Sequence, residues 1–309
     1  MSMNSSEKRN RKRLICRFLF LCLTAVLVLA PRVSFAQEEE EVRVDSSIVV
    51  LNASIKDSAG RHVAGLKQSL FTVFEDGVEQ KIEFFSAEET PFAAVILLDT
   101  SGSMEERVSL ARSAAIRFLD GLRASDAASI YRFDSKVVLV QEFSNSRDIN
   151  QSVFDVKAQG MTRMNDAIFE AAVELSKRPE KRRAIIVLSD GQDNMSKRSN
   201  DKALKAALEA DAVVYTIDMS PIGDSKRVQN QGPLKNFAEK TGGTFVSTPG
   251  GAAMREAFAK IVEELGLQYT VGYSPQNTKK DGKWRAIDLR VVKPGLTVRT
   301  RKGYNAENR

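Results

Sequence analysis

Ala93-Ala94-Val95-Ile96-Leu97-Leu98-Asp99-Thr100-Ser101-Gly102-Ser103-Met104 is the stretch whose reading decides the fold. Ala93 to Leu98 is an apolar run with no polar alternation, as expected of a strand covered on both faces. Asp99, Ser101 and Ser103 follow two residues apart around a tight turn, with Gly102 easing the backbone, so three oxygen-bearing side chains can converge on one point. Met104, Val108, Ala111, Ala115, Phe118 and Leu122 then recur at steps of three or four, one face of a helix.

Working outward, the period keeps switching. Ala127 to Phe133 and Val137 to Phe143 read as strands around a turn at Asp134-Ser135, Asp166 to Ser176 as a helix, and Ala184 to Leu188 as an apolar strand. Helix Asp201 to Ala210, strand Ala212 to Ile217, short helix Leu234 to Lys240 stopped by Gly242-Gly243, strand Thr244 to Ser247 and helix Ala252 to Leu265 complete the series. Residues 91–265 are therefore expected to form a doubly wound, mainly parallel, Rossmann-like α/β domain. Ligands of such sheets bind beyond the carboxyl ends of strands where the strand order reverses. Asp99 stands at such an end, Asp190 in Leu188-Ser189-Asp190-Gly191 ends another apolar strand, and Thr162 lies in the loop before a helix.

Asp99, Ser101, Ser103, Thr162 and Asp190 together offer two carboxylates and three hydroxyls, with no nitrogen or sulfur. Hard oxygen donors select Mg²⁺, with Mn²⁺ or Ca²⁺ as alternatives, over zinc or copper. A small octahedral ion keeps water readily, which leaves a position for an outside ligand.

The five residues, in this order and at these strand ends, resemble the metal-ion-dependent adhesion site (MIDAS) of von Willebrand factor type A (VWA) domains, whose motif is Asp-x-Ser-x-Ser, a distant Thr and a later Asp. The resemblance implies a six-stranded sheet flanked by helices, with the serines and often the threonine touching the metal and the aspartates acting partly through water. It also implies a non-catalytic protein–protein interaction or adhesion module, in which an unidentified partner protein completes the coordination with a Glu or Asp. Arg163 and Met164 depart from the small or apolar residues many relatives carry; Arg163 is either a second anion-binding group over the metal face or a solvated loop residue. Asp193 and Asn194 are expected to support the loop backbone.

The flanking residues change pattern. Val49, Leu51, Ala53 and Ile55 alternate with polar neighbours, and Phe71 to Phe85 reads as a hairpin around Asp76-Gly77 with Lys81 to Phe85 as the returning strand. Gln268 to Tyr273, Trp284 to Val292 and Leu296 to Arg301 read as three more strands. Neither segment supplies enough strands for its own core, so 37–90 and 266–309 are expected to pair into one small all-β sandwich with the α/β domain inserted between them. Phe74-Glu75-Asp76-Gly77, Gly272-Tyr273 and Arg301-Lys302-Gly303-Tyr304 resemble the bacterial exported proteins of the VWFA-related, acidobacterial-type group.

Residues 1–36 read as a signal peptide: a basic start from Lys8 to Arg13, an apolar run from Leu14 to Ala30, and Ser34-Phe35-Ala36 before a cleavage point at Gln37. The expectation is export to the periplasm or secretion, with no membrane insertion after cleavage; an uncleaved signal anchor is the alternative. Oligomeric state is not legible. That segment holds seven of the 46 Lys and Arg residues and one of the 40 Asp and Glu residues, leaving 39 of each sign and no basic footprint for nucleic acid. It also holds both cysteines, Cys16 and Cys22, and His62 is the single histidine, so a His-based zinc site, a Ser-His-Asp triad and a Cys-His dyad are excluded. Ser101 interrupts the Asp-Thr-Gly of an aspartic protease and replaces the second Asp of a haloacid dehalogenase-type phosphotransferase, which disfavours a hydrolase. A metal-independent scaffolding protein of the envelope is the other alternative.

Overall fold

A computed structural model of the chain describes residues 48–87, 89–145, 160–220, 227–247 and 252–306. The expected signal peptide and the Glu38 to Glu41 run lie outside the described residues. Among the described residues no helix is long and apolar enough to cross a membrane.

The apolar run forms strand β5 (Phe92–Asp99), buried along its whole length. It sits inside a mixed six-stranded sheet of order β10-β9-β8-β5-β6-β7, whose other members are β6 (Ala127–Phe133), β7 (Val137–Ser144), β8 (Arg182–Ser189), β9 (Ala212–Asp218) and β10 (Phe245–Ser247). All neighbours are parallel except β6 and β7, because the short turn after Phe133 leaves no chain for a crossover. Five helices cover the sheet: α1 (Val108–Asp120), α2 (Met164–Ser176), α3 (Asn200–Glu209), α4 (Arg227–Thr241) and α5 (Ala252–Leu267). Ala94, Ile96 and Leu98 of β5 pack into one cluster with Phe118 of α1 and Phe258 of α5. Ala93, Val95 and Leu97 point the other way, into a cluster with Ile168 of α2, Ala203 of α3 and Phe237 of α4. The missing alternation in the sequence follows from burial on both faces.

The flanking segments form two separate four-stranded antiparallel sheets, each drawing strands from both ends of the chain. One has the order β13-β1-β11-β4, from β13 (Thr297–Arg299), β1 (Val49–Lys56), β11 (Tyr269–Tyr273) and β4 (Ile82–Ser86). The other has the order β14-β12-β2-β3, from β14 (Gly303–Asn305), β12 (Trp284–Val291), β2 (Phe71–Glu75) and β3 (Val78–Gln80). Leu51, Ala53, Val73, Tyr269, Val271 and Leu289 share one apolar cluster, so side chains of both sheets meet in a common core.

Four details differ from the expected pattern. The strand returning from Asp76-Gly77, where both residues have the positive φ of a tight hairpin turn, is only Val78–Gln80. The chain then crosses to the opposite sheet, where β4 pairs with β11 and the Phe85 ring meets Phe71 and Tyr269 at centroid distances of 5.0 and 5.9 Å. Gly303–Asn305 adds a strand too short to read from propensity. Residues Gly102–Met104 form a 3₁₀ turn before α1, which starts at Val108. Helix α4 begins at Arg227 and not at Leu234, running through Gly232 and Pro233, and the burial of Leu234 and Phe237 outweighs the local cost of that pair.

The sheets of the flanking segments join the α/β layer at the amino ends of its strands. Arg182, the first residue of β8, has no exposed surface. Its guanidinium donates to the carbonyls of Leu265 (3.4 Å), Gly266 (3.0 Å) and Gln268, closing the carboxyl end of α5 just before the chain enters β11. Asn52 of β1 donates to the Lys181 carbonyl and accepts from Thr270. Burial pulls the Arg182 pKa down to about 10, so it stays charged at neutral pH. Arg182→Met is therefore expected to cost roughly 3 kcal/mol or more in urea unfolding, because several buried carbonyls lose their donor. A loss below about 1 kcal/mol would show that the guanidinium contributes nothing to the junction.

Candidate metal centre

At the opposite, carboxyl end of the sheet, three loops carry the five residues singled out from the sequence. The first begins at Asp99, whose side chain is completely buried. Its Oδ1 accepts from the Ser101 amide at 2.9 Å and from the Ser101 hydroxyl at 2.6 Å, and its Oδ2 accepts from Ser189 Oγ at 2.6 Å. Ser101 Oγ lies 3.1 Å from Ser103 Oγ, so hydroxyls lead outward from the buried carboxylate to Ser103, which is exposed. The register that sets Leu98 opposite Leu188 makes Asp99 and Ser189 neighbours. Thr100 locks this loop to the β6–β7 turn by donating to Asp134 Oδ2 at 3.2 Å, while its amide donates to the Phe133 carbonyl at 2.8 Å.

The second loop carries Thr162, also buried. It is tied to the first by the Gly102 amide, which donates to the Gly160 carbonyl at 3.1 Å. Thr162 donates its amide to Asn194 Oδ1 at 2.9 Å, and its carbonyl accepts from the amides of Asn194 and Met195. The third loop follows Asp190, whose carboxylate accepts from the Gln192 amide at 3.0 Å and from Gln192 Nε2 at 3.2 Å. Gly191 has φ +83°, and a Cβ there would stand 2.1 Å from the Asn230 carbonyl oxygen. Only glycine lets this loop lie so close to the first turns of α4.

Two carboxylates thus end up buried at neighbouring strand ends, and among the described residues no basic side chain pairs with either. Burial pushes the Asp99 carboxyl up to about 7, against the pull of its three hydrogen bonds, and the charge of Asp190 adds to the rise. Among the described residues no group of three or more His, Cys, Asp or Glu side chains is placed to hold a metal ion. A cation at this end of the sheet would therefore need the hydroxyls as well as the carboxylates.

Several neighbours carry roles the sequence reading left unassigned. Ser189 holds the second oxygen of Asp99, and its place beside Asp190 at a strand end was the available signal. Asp218 ends β9 in register with Ser189, and its buried carboxylate accepts from the Ser220 amide and from Gln231 Nε2 of α4. Asp193 accepts from the amides of Asn165 and Ser196, and Asn194 from Thr162, so both support the backbone as expected. Arg163 neither reaches across the face nor stands free in solvent: it turns to Asp166 of its own helix at 3.7 Å, a carboxylate also held by Arg198.

Comparison with known proteins bears on residues 94–192, which match the family model of the von Willebrand factor type A domain. That span includes all five residues singled out from the sequence. Over 186 residues the chain is 27% identical to an uncharacterized protein from Synechocystis sp., covering 57% of this chain and 43% of that one. Over 138 residues it is 25% identical to inter-alpha-trypsin inhibitor heavy chain H3 from Bos taurus, covering 39% and 16%. The chain thus spans less than half the length of the curated relatives it matches. Among solved structures it is similar to a von Willebrand factor type A protein from Catenulispora acidiphila, at 15% identity and a TM-score of 0.49 over 83% of this chain and 73% of that one. It is also similar to the vWF domain of the type V pili tip protein Mfa5 from Porphyromonas gingivalis, at 14% identity and 0.47 over 57% and 95%. By the family-model match over residues 94–192, the chain contains a von Willebrand factor type A domain, here built on a mixed six-stranded sheet between two β segments.

Proposed function

We propose that this chain is an exported protein-interaction module whose VWA domain uses a MIDAS-type divalent cation, most simply Mg²⁺, to grip a Glu or Asp side chain of a partner protein. One observation carries the reading: Asp99 and Asp190 are buried at neighbouring strand ends with no basic partner among the described residues, next to hydroxyls that offer only oxygen. A single hard cation is the counter-charge this donor set suits. Ser101, Ser103 and Thr162 would supply neutral ligands, with Asp99 and Asp190 balancing charge directly or through water. The cation's role is that of a Lewis acid toward an incoming carboxylate.

The chain's own residues prepare that encounter. Ser101 gives its proton to Asp99 Oδ1, which leaves the lone pairs of its oxygen available as a ligand. Ser189 pins the other carboxylate oxygen, so Asp99 cannot swing away when its charge is neutralised. Where both aspartates act through water, the neutral hydroxyl donors leave the ion with more of its field, which favours an anionic partner. The exposed Ser103 sits on the side from which a partner would approach. Export rests on the signal-peptide reading of residues 1–36, and the non-catalytic role on the absence from the sequence of the triad, dyad and zinc chemistries excluded above.

The buried, unpaired carboxyl gives a signed expectation. Its folded pKa is raised from 3.8 to about 7, so as pH climbs through that window the ionised group subtracts stability from the metal-free chain. In EDTA, Asp99→Asn is expected to be more stable than wild type at pH 8, by up to about 4 kcal/mol, with the gap closing toward pH 5. Mg²⁺ at pH 8 is expected to close the gap by raising the wild type alone; urea unfolding of both variants with EDTA or Mg²⁺ checks this, and an Asp99→Asn variant that Mg²⁺ stabilises equally would contradict it.

Binding is tested by immobilising the chain and capturing partners from an envelope extract with Mg²⁺ or EDTA. Wild type with Mg²⁺ is expected to retain a partner that EDTA elutes, and Asp99→Ala to retain none despite an unchanged far-UV circular dichroism spectrum. Ser101→Ala, which removes one neutral ligand of several, is expected to weaken retention less. The same partners held in EDTA would overturn the metal-dependent reading.

A further inference from the structure

We infer that His62 is an acid-sensitive latch at the junction of the VWA domain with the flanking sheets: protonation of its imidazole crowds a third cation against Glu264 and loosens that junction. Glu264 of α5 is the buried anion at the centre. Its Oε1 accepts from the Tyr215 hydroxyl of β9 at 2.8 Å and from the Arg299 guanidinium of β13. Its Oε2 lies 3.3 Å from Lys56 Nζ of β1 and 3.8 Å from His62 Nε2. Helix α5 and β9 belong to the α/β layer, while β1 and β13 belong to one flanking sheet, so this carboxylate ties the two together. The chain after β1 folds back to bring the imidazole there. His62 bridges to Lys56, the Val63 amide donates to the Ile55 carbonyl at 2.9 Å, and the Tyr269 hydroxyl donates to the Val63 carbonyl at 2.8 Å.

The His62 side chain is only 8% exposed, and its Nδ1 lies 3.4 Å from Ser54 Oγ. The charged and titratable groups around it are Glu264 and Glu263 of α5, Lys56 of β1, Arg299 of β13 and, across Glu264, Tyr215 of β9. Lys56 and Arg299 already outnumber the one buried carboxylate, and Glu263 is exposed, so a third cation in this space lacks an anion of its own. Burial holds the imidazole pKa below its ordinary 6.5; Glu264 and Glu263 oppose the fall, and Lys56 and Arg299 add to it. Glu264 is held below its own ordinary value and stays ionised while the histidine titrates. A histidine whose pKa is depressed by folding leaves stability intact above 6.5 and removes it as pH falls below. Lys56 is the cation with room to yield, since it lines an open pocket of about 260 Å³ together with Thr244, Lys260 and Glu264.

Urea unfolding of the full metal-free chain and of His62→Gln, from about pH 8 to about pH 5, tests the latch. Titration of Asp99 is common to both proteins and cancels in the ratio of their unfolding constants. That ratio, wild type over variant, is expected to stay level near pH 8 and to rise severalfold as pH falls through 6.5. His62 is the single histidine, so its imidazole proton resonance reports the titration directly, with no substitution needed. Its midpoint is expected below 6.5 in the folded chain and to move upward in Lys56→Gln, which removes a facing cation. Hydrogen exchange near pH 5, corrected for the intrinsic rate, is expected to quicken in β13 and residues 57–66 of wild type but not of His62→Gln, with β5 protected in both. A constant ratio, a folded-state midpoint at or above 6.5, or exchange that quickens evenly along the chain would overturn the latch. None of these readouts involves Mg²⁺ or a partner, so the outcome is independent of the metal-site reading.

Discussion

The constraint on which the rest depends is the position of the Asp99 carboxylate. A strand buried on both faces ends on an acid that has no exposed surface, accepts three hydrogen bonds from two serines, and among the described residues meets no basic side chain. Desolvation and the nearby Asp190 both disfavour its ionised form. The surrounding loops fix the position tightly. The Gly102–Gly160 bond joins the first loop to the second, the Thr162–Asn194 bonds join the second to the third, and Gly191 lets the third lie against α4. The three loops are thus held together by hydrogen bonds of backbone amides to neighbouring carbonyls and side chains.

The junction with the flanking sheets lies at the other end of the strands. The two flanking sheets attach where strands begin, through Arg182, Asn52 and the ion pair of Arg301 with Asp211 at the start of β9. Glu264 of α5 reinforces the same junction with Lys56, Arg299 and the Tyr215 hydroxyl. Burial alone would raise its pKa, but the neighbouring cations and hydroxyl reverse the sign and hold it below the ordinary value. Strand β8 spans eight residues between this junction and Ser189, roughly 25 Å at strand rise. The junction with the flanking sheets and the candidate site thus stand at opposite ends of one strand.

How much of this was legible in the sequence depends on where the deciding forces lie. The central strands showed themselves through uninterrupted apolar runs, and Asp99, Ser101 and Ser103 stood out as candidates through a spacing of two around a glycine, because both patterns are local. The sheet exchange after Gln80, the short strand at Gly303 and the early start of α4 at Arg227 were not legible. Each is decided by burial against partners distant in sequence, as when Phe85 packs on Tyr269. The supporting role of Asp218 was hidden for the same reason: a carboxylate reveals its partner only once strand order is known. Arg163 illustrates the converse, since its nearest carboxylate, Asp166, lay three residues away on the helix it opens.

The central claim is that a divalent cation supplies the charge these buried aspartates lack. Its most direct test is a crystal of the chain grown in Mn²⁺ near pH 8 and measured for anomalous scattering. The expected result is one peak per chain within bonding reach of the Ser101 and Ser103 hydroxyls, beside Asp99 and Asp190. A well-ordered map with no peak among those residues would contradict it.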